Sequence, residues 1–405
     1  MSDYKNSYPC VMVHGFGGYG AQDGQDKNAH YWGIGPLYLK PHFEQQGVEF
    51  YNPSLGPFNS TWDRACILWA YLFGGTVDFG KVHSAKYHHE RYGETFEHGV
   101  LEDLGKTEQH KKMNLFGHSF GGPTVIEIAQ LFSYGSEEER QGTDPDDLSP
   151  LFAGGHGNLI HTVTTLSGVN NGTTMASALG KKGMTAATWA VLMVNNILGD
   201  SKTQKHWNFH TQHFGIGTYP DKITKENSHF SSPFKNVQAI RNYSNNLDRD
   251  NSGREMQIEV IQRLNAELKT DPGIYYFAQR ANGARKLPNG KYRPRIPLDP
   301  LCFVSGWLTG GYTSKELEQY GVGKDPLWGQ NDGFVNVRGQ SAPLNLPSQD
   351  ADYSTDFKPG MWYNMPVEPG DHMLWIGLWR TPKRLFGIYD RMLNIYRNLP
   401  DGENV

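Results

Sequence analysis

The segment Gly117-His118-Ser119-Phe120-Gly121 fits the pattern Gly-x-Ser-x-Gly. Residues 112–116, Lys-Met-Asn-Leu-Phe, come directly before it and predict a short buried strand. Residues 123–132 follow it with apolar side chains at helical spacing and a proline at the start, which predicts a helix. Ser119 would then occupy a tight turn from strand to helix, where a β-carbon on either flanking residue would collide with the packed backbone.

A serine in a strand-to-helix turn is the nucleophile elbow that is typical of α/β-hydrolases. The amino end of the following helix points free N–H groups and a positive dipole end toward the place where an oxyanion would form. The alternative is a serine in an ordinary glycine-rich turn, and the pattern alone does not decide between the two. The strand and the helix favour a catalytic Ser119 and an α/β fold with a mostly parallel central sheet.

A serine hydroxyl needs a base and an orienting acid, and in α/β-hydrolases these follow along the chain in the order acid, then histidine. Asp332 lies in the turn Asn331-Asp332-Gly333, and His372 lies in a glycine-containing loop that enters an apolar segment. An Asp-Gly pair is also an ordinary turn signal, so Asp332 alone would be ambiguous. Asp371 is a rival acid, but adjacent residues rarely point in the required directions, so we predict the triad Ser119, Asp332 and His372.

The second donor to an oxyanion is predicted near the amino terminus. Residues 8–13 predict a strand that runs into His14-Gly15-Phe16-Gly17-Gly18. Such a loop lends a backbone N–H to the tetrahedral intermediate, alongside the N–H of the residue after the serine. We assign these donors to Phe16 and Phe120. A phosphate-binding loop is the alternative, but neither a Gly-Lys-Ser/Thr sequence nor a complete Gly-x-Gly-x-x-Gly fingerprint with its acidic partner is present.

Several further motifs extend these observations over residues 8–399. They are His14-Gly15-Phe16, residues 59–66 (Asn-Ser-Thr-Trp-Asp-Arg-Ala-Cys), residues 74–80 (Gly-Gly-Thr-Val-Asp-Phe-Gly), Asn331-Asp332-Gly333 and Asp371-His372. Together they resemble the thermoalkalophilic and staphylococcal-type bacterial triacylglycerol lipases. The resemblance implies an α/β-hydrolase fold with a zinc-binding insertion and a large helical lid. It also implies that Ser119 is the nucleophile, His372 the base and acid, and Asp332 the orienting carboxylate.

A metal site is predicted in a short insertion, which we place at residues 56–98. The candidate ligands there are nitrogen and oxygen donors that zinc binds tetrahedrally, namely Asp63, Asp78, His83, His88 and His89. The family resemblance selects Asp63, His83 and His89, and it places Glu255 as the fourth ligand of a structural zinc ion. The family has aspartate at that position, so Asp250 and Asp248 stay open as alternatives. A solvated histidine-rich surface loop is the other interpretation.

Two departures from the family pattern carry predictions. The residues after His372 are Met373-Leu374, followed by Trp379-Arg380-Thr381-Pro382, where relatives carry carboxylates for calcium. Leucine and tryptophan cannot supply the oxygen ligands that calcium needs, so we predict no calcium at that position. Phe120 stands where relatives have glutamine, which places a ring beside the predicted oxyanion hole and leaves the acyl-chain preference open.

A lid is predicted between Ser119 and Asp332, over about residues 173–230. Residues 184–198 form an apolar run with helical character that is shorter than the roughly 20 apolar residues of a membrane span. A buried core helix would give the same pattern. The family resemblance favours a helix whose apolar face covers the serine in water and opens onto lipid. The histidine-rich residues 206–214 are predicted to form a pocket or lid wall, and a second metal cluster is the alternative.

The composition agrees with one catalytic domain over residues 1–405 with the two insertions. The net charge is −4 without a basic patch suited to nucleic acid, and three cysteines give no disulfide framework. No leader precedes the first predicted strand, so either the chain is cytoplasmic or its leader is absent from this sequence. Because the relatives are largely secreted, we expect a secreted protein.

The predicted function is a serine carboxylic-ester hydrolase, a lipase or esterase that cleaves acylglycerols or other hydrophobic esters, including aliphatic polyesters, at a lipid–water interface. A zinc-dependent metallohydrolase and a non-catalytic lipid-binding protein on the same fold are the alternatives. The sequence does not give the oligomeric state.

Overall fold

The computed structural model describes residues 4–23, 26, 29–198, 209–217, 237–245, 250–295 and 299–402. Within these ranges the chain alternates between strands and helices. The strands are β1 (Cys10–Val13), β2 (Phe50–Tyr51), β3 (Gly75–Asp78), β4 (Tyr92–Phe96), β5 (Met113–His118), β6 (Ile160–Leu166), β7 (Tyr275–Asn282), β8 (Ala284–Lys286), β9 (Tyr292–Pro294), β10 (Ser348–Asp350) and β11 (Trp362–Pro369). The helices are α1 (Leu39–Gln45), α2 (Thr61–Phe73), α3 (Lys81–Tyr87), α4 (Gly121–Tyr134), α5 (Glu137–Gly142), α6 (Pro150–Ala153), α7 (Thr174–Leu198), α8 (Val237–Asn245), α9 (Ser252–Glu255), α10 (Ile258–Asn265), α11 (Pro300–Thr309), α12 (Val337–Gln340) and α13 (Pro382–Tyr396).

Seven strands form the central sheet, in the spatial order β10-β11-β7-β6-β5-β1-β2. Every pairing between neighbouring strands of this sheet is parallel. Parallel strands place their carboxyl ends at one edge, which is where α/β proteins bind their ligands. The loops that follow β1, β5 and β11 carry Phe16, Ser119 and His372, so this edge gathers three predicted site residues. The predicted α/β-hydrolase fold with a mostly parallel sheet is confirmed.

Helices cover both faces of the sheet, so the strands are buried on both sides. In β1 the side chains of Val11 and Val13 enter one hydrophobic core, which α2 and α4 complete. Cys10 and Met12 enter the opposite core, which α1 and α13 complete. The alternation of these four residues fixes the register of β1, because a shift by one residue would exchange the two faces.

Two small antiparallel ribbons stand outside the central sheet, β3 with β4 and β8 with β9. The first ribbon lies inside the predicted insertion at residues 56–98, together with α3. Helix α7 occupies the amino-terminal part of the predicted lid, and Gly180 interrupts it with φ 59° and ψ −176°. Residues 199–208 and 218–230 of the predicted lid lie outside the described residues, as does Asp248. Across the described ranges, no helix combines the length and apolar character that a bilayer crossing requires.

Candidate active site and metal group

Ser119 stands at the end of β5 in a backbone conformation that side chains rarely adopt, with φ 57°. Its amide donates to the carbonyl of Leu166 on the neighbouring strand at 3.0 Å, which holds the turn against the sheet. Gly121 opens α4 so close to β1 that a β-carbon there would lie 2.3 Å from the carbonyl oxygen of Val13. The glycine of the sequence motif is therefore a packing requirement, and the strand, turn and helix are placed as predicted.

Asp332 and His372 form a buried pair on the same side of the molecule. Nδ1 of His372 lies 2.7 Å from Oδ2 of Asp332, and the amide of His372 donates to the carbonyl of Asp332 at 2.8 Å. The other carboxylate oxygen accepts from the amides of Phe334 and Val335 at 3.0 and 2.8 Å. The carboxylate of Asp332 thus contacts Nδ1 of His372 and two backbone amides, which leaves Nε2 as the ring nitrogen of His372 that does not face this carboxylate.

Asp371, the rival acid, is occupied elsewhere. It is fully buried, and its carboxylate accepts from the guanidinium of Arg380 and from the amide of Asp299 at 3.0 Å. Asp299 also accepts from the indole nitrogen of Trp379 at 3.0 Å. Arg380 and Trp379 are adjacent, and through these hydrogen bonds they link the loop of His372 to the start of α11. The guanidinium of Arg380 also places a positive charge beside Asp371. The absence of a calcium site stays a prediction.

The predicted oxyanion donors lie on either side of Ser119. A β-carbon at Gly15 would lie 2.6 Å from Cβ of Ser119, so the loop after β1 passes directly against the serine. Within the part of the chain that the structure describes, the amides of Phe16 and Phe120 donate no hydrogen bond. Two free amides beside a strained serine are what an oxyanion hole requires.

The ring of Phe120 is fully buried. It packs in a small cluster with Val169, Ala176 and Val335. Ala176 belongs to the first turn of α7, and Val335 follows the acid Asp332. Phe120 therefore joins the turn at Ser119, the first turn of α7 and the loop of Asp332 through one apolar cluster.

A hydrogen-bonded chain that the sequence did not predict runs beneath the site. The amide of Gly15 donates to the hydroxyl of Tyr31 at 2.9 Å, and this hydroxyl lies 2.7 Å from Nδ1 of His118. Nε2 of His118 lies 3.0 Å from the carbonyl of His372, which can only accept. His118 therefore donates through Nε2 and accepts through Nδ1 from Tyr31.

Burial lowers the pKa of His118 well below its ordinary value, and the nearby His372 lowers it further. His118 is thus neutral, as the two hydrogen bonds require. The chain connects the loop after β1, the elbow and the base loop. Spacing along the sequence could not reveal it, because Tyr31 stands far from both partners and carries no motif.

Arg64 makes a second set of contacts at the site that the sequence did not predict. It is fully buried, its guanidinium donates to the carbonyl of His14, and it lies 5.4 Å from the centre of the Phe120 ring. Burial lowers the pKa of Arg64 to about 9, and the nearby Glu255 opposes that change. The motif at residues 59–66 drew attention to this arginine, but only the fold shows that it lies behind both oxyanion loops.

Four buried or nearly buried side chains form a group that could hold a metal ion, namely Asp63, His83, His89 and Asp250. Their ligand atoms all lie within 4.8 Å of one another. Nε2 of His83 lies 3.1 Å from Oδ1 of Asp250 and 3.7 Å from Oδ1 of Asp63. Ligands of a tetrahedral zinc ion with bonds of about 2.0–2.1 Å lie roughly 3.3 Å apart, so the spacing fits.

His89 provides the clearest sign that this group fits a cation. Its Nε2 is buried, lies 3.5 Å from Oδ2 of Asp250 and has no hydrogen-bond partner among the described residues. Its Nδ1 lies 2.8 Å from the carbonyl of Glu90, so Nδ1 carries the proton and Nε2 presents a lone pair. A buried lone pair beside two carboxylates is the arrangement that a zinc ion would satisfy.

The sequence prediction placed Glu255 as the fourth ligand, whereas the group in the structure contains Asp250, which the sequence had left open as an alternative. Oε2 of Glu255 accepts from the amide of Thr61 at 2.8 Å, so this carboxylate caps the first turn of α2. Asp250 has φ 75°, a left-handed conformation that turns its side chain toward His83 and His89. Both acids belong to one segment that packs against the start of α2. Matching this segment to the family by sequence therefore does not tell which of the two acids faces the histidines.

The remaining candidates of the insertion have other partners. Asp78 forms a bidentate ion pair with Arg91 at 2.9 and 2.8 Å, and His88 ends α3 as an exposed residue with φ 61°. His213, which the sequence placed in a pocket wall, contacts the metal group instead. Its Nε2 lies 3.1 Å from Oδ2 of Asp63, so it would orient this carboxylate toward a bound ion.

Comparison with known proteins gives a consistent result. Residues 6–399 match the model of the family described as "Lipase-like, C-terminal domain". A lipase of Staphylococcus epidermidis is 29% identical over 92% of this chain and 50% of its own length. The chain thus spans about half the length of this staphylococcal relative.

Two solved structures match nearly the whole chain. The Staphylococcus hyicus lipase has a TM-score of 0.80 and 25% identity, with 98% of this chain and 97% of that chain covered. EstA from Clostridium botulinum has a TM-score of 0.81 and 31% identity, with 99% and 89% covered. The resemblance drawn from the sequence motifs is therefore confirmed.

Proposed function

This chain belongs to the lipase-like C-terminal domain family, and from that premise we propose that it is a serine carboxylic-ester hydrolase. The observation that carries the proposal is the buried pair of His372 and Asp332 at 2.7 Å, on the sheet edge that presents Ser119 in a strained turn. Strain of this kind is kept where function requires it. The free amides of Phe16 and Phe120 supply the remaining part of the machinery.

The reaction follows from these positions. Oγ of Ser119 attacks the ester carbonyl while its proton passes to Nε2 of His372, and the amides of Phe16 and Phe120 stabilise the resulting oxyanion. The bond to the alcohol oxygen then breaks, and His372 returns the proton to the leaving alcohol. Water repeats the sequence on the acyl-enzyme and releases the carboxylic acid, which restores Ser119.

We propose hydrophobic esters as substrates, acylglycerols first and aliphatic polyesters as a further class. The support is α7, which begins beside the Phe120 cluster and carries exposed Leu179 and Trp189. An amphipathic helix at this place acts as a lid that covers the serine in water. Lipid substrates of this kind lie outside the cell, so we also propose that the protein is secreted.

We propose that the metal group holds a structural zinc ion. Four protein ligands close the tetrahedral coordination, whereas a catalytic zinc keeps one position for water. The ion would join the insertion to the segment around Asp250. It would supply stability, and no step of ester cleavage passes through it.

The test is the replacement of Ser119 by Ala combined with labelling by a fluorophosphonate. We expect hydrolysis of a soluble p-nitrophenyl ester to fall by at least about a thousandfold, with unchanged folding. The intact protein should give one adduct on Ser119, which forms within the first minutes after addition of a zinc chelator as well as before it. Ester cleavage that continues in the Ser119→Ala variant and stops on chelation would overturn the proposal and favour a metallohydrolase.

A further inference from the structure

Helix α11 exposes an apolar face. Leu301, Val304 and Trp307 are 66%, 72% and 50% exposed, and they follow one another at about one turn on the same side of the helix. Cys302, Gly306 and Thr309 form the opposite, buried side. No residue of α11 is charged. A surface helix normally turns polar residues outward, so this outward face needs a partner.

The buried side of α11 rests on the loop of the catalytic acid. Oγ1 of Thr309 donates to the carbonyl of Gly333 at 3.0 Å, and a β-carbon at Gly333 would lie 2.6 Å from Cβ of Cys302. The carbonyl of Thr309 also accepts from Oγ1 of Thr174, the first residue of α7. The exposed face is therefore held in a fixed position between the acid loop and the start of the lid helix.

Trp379 extends the same surface at the other end of α11. Its ring is 72% exposed, and its φ of 57° shows that the backbone is held in an unfavourable conformation. The indole nitrogen donates to Asp299, the residue that caps α11, and the amide of Asp299 donates to Asp371 beside His372. The ring thus faces solvent, while its indole nitrogen is satisfied by Asp299 at the start of α11.

Cations border this surface in a chain whose net charge is −4. The guanidinium of Arg293 lies over the Trp307 ring at 4.5 Å. The exposed Lys383 and Arg384 follow Trp379 shortly along the chain, in the first turn of α13. Exposed apolar side chains, anchored tryptophans and a basic border are the composition that lies at lipid–water boundaries.

We propose that this surface docks the enzyme onto the boundary of a water-insoluble ester phase, with its basic border facing anionic carboxylate or phosphate groups. The surface consists of Leu301, Val304, Trp307, Leu308 and Trp379, and we name it the docking face. The inference rests on the proposed function and goes beyond a lid, because the docking face is fixed to the catalytic loops and needs no opening. A lipid fits better than a second copy of the chain, because docking here directs the acid and base loops toward the surface that holds the substrate.

The experiment compares two substrates in two pairs of variants. We expect Val304→Ser with Trp307→Ser to lower hydrolysis of emulsified tributyrin and adsorption to phosphatidylcholine vesicles by roughly tenfold. Turnover of soluble p-nitrophenyl acetate should stay unchanged. Val100→Ser is the matched control, because Val100 is also exposed but belongs to no part of the docking face. Added phosphatidylglycerol should strengthen adsorption of the unaltered protein, and salt should weaken that gain.

The outcomes separate the two proposals. If the unaltered protein does not hydrolyse the soluble ester, the proposed function is overturned. If the double variant hydrolyses both substrates as fast as the unaltered protein does, the docking face alone is overturned. If the double variant fails to fold, Val304→Trp should raise vesicle adsorption and Val100→Trp should not. A double variant that changes a dimer into a monomer in light scattering without altering adsorption would show an interface between copies and would overturn the lipid assignment.

Discussion

The catalytic pair and the metal group are both built from buried histidines and aspartates, yet their carboxylates are satisfied in different ways. Asp332 accepts hydrogen bonds from two backbone amides and from His372, so the protein alone stabilises its charge. Asp250 faces the imidazoles of His83 and His89, and the unpartnered lone pair of His89 lies beside it. The first arrangement is complete when the chain folds, whereas the second has a place that the proposed zinc ion would fill.

Asp332→Asn tests the catalytic half of this comparison and should have the largest effect. The amide would offer a proton to Nδ1 of His372 and favour the wrong tautomer, so we expect kcat to fall about ten thousandfold. The fold should survive, because the amides of Phe334 and Val335 still find an acceptor. Kinetics on a soluble ester and a melting curve check this, and a loss below tenfold would remove Asp332 from the proposed triad.

The metal half is tested by comparing Asp250→Ala with Glu255→Gln. Removal of a ligand should lower zinc affinity by more than about a hundredfold and lower the Tm, because metal binding is coupled to folding. Glu255→Gln keeps an acceptor for the amide of Thr61, so we expect full zinc content and a stability loss of about 1 kcal/mol. Elemental analysis of the purified variants decides the matter. Zinc retained by Asp250→Ala and lost by Glu255→Gln would reverse the ligand assignment.

Arg380→Met examines the support of the base loop and should have a smaller effect. The variant leaves the buried carboxylate of Asp371 without its cation, so we expect a loss of about 3 kcal/mol in the free energy of unfolding. Asp371→Asn as a second substitution should recover part of this loss, because the buried charge is then absent. Denaturant unfolding of the single and double variants measures the coupling. Additive losses would show that the two side chains act independently.

Another buried histidine, His161, belongs to neither site and serves as the reference. Burial lowers its pKa to about 4, and its Nε2 donates to the carbonyl of Tyr396 at 3.2 Å. Because the pKa in the folded state lies below the ordinary 6.5, stability is lost as the pH falls from 6.5 toward 4. From pH 7 to pH 5 this group should cost about 2 kcal/mol, and His161→Gln should remove that part of the decline. An unchanged pH profile of Tm in the variant would contradict this.

The same contrast explains what could be predicted from the sequence. The strand, glycine turn and helix around Ser119 are adjacent in the chain, so local sterics dictate them, and the loops of Asp332 and His372 follow from the order of strands. Matching to the family favours Glu255, but Asp250 is acidic too and lies close by in the sequence, and the left-handed backbone that turns Asp250 toward the histidines is visible only in the structure. Tyr31, His118 and Arg64 carry no spacing signal, since their contacts exist only once the sheet has assembled.

The metal group has one further consequence, which concerns the path of the chain. His83 and Asp250 are 167 residues apart. An ion bound to both would therefore close a long loop of the chain, and this loop contains Ser119 and α7. The central sheet also crosses this loop, because β6 pairs with β7. We expect a polypeptide cut between Thr174 and Asp250 to stay together as two fragments, held by the sheet and by the ion.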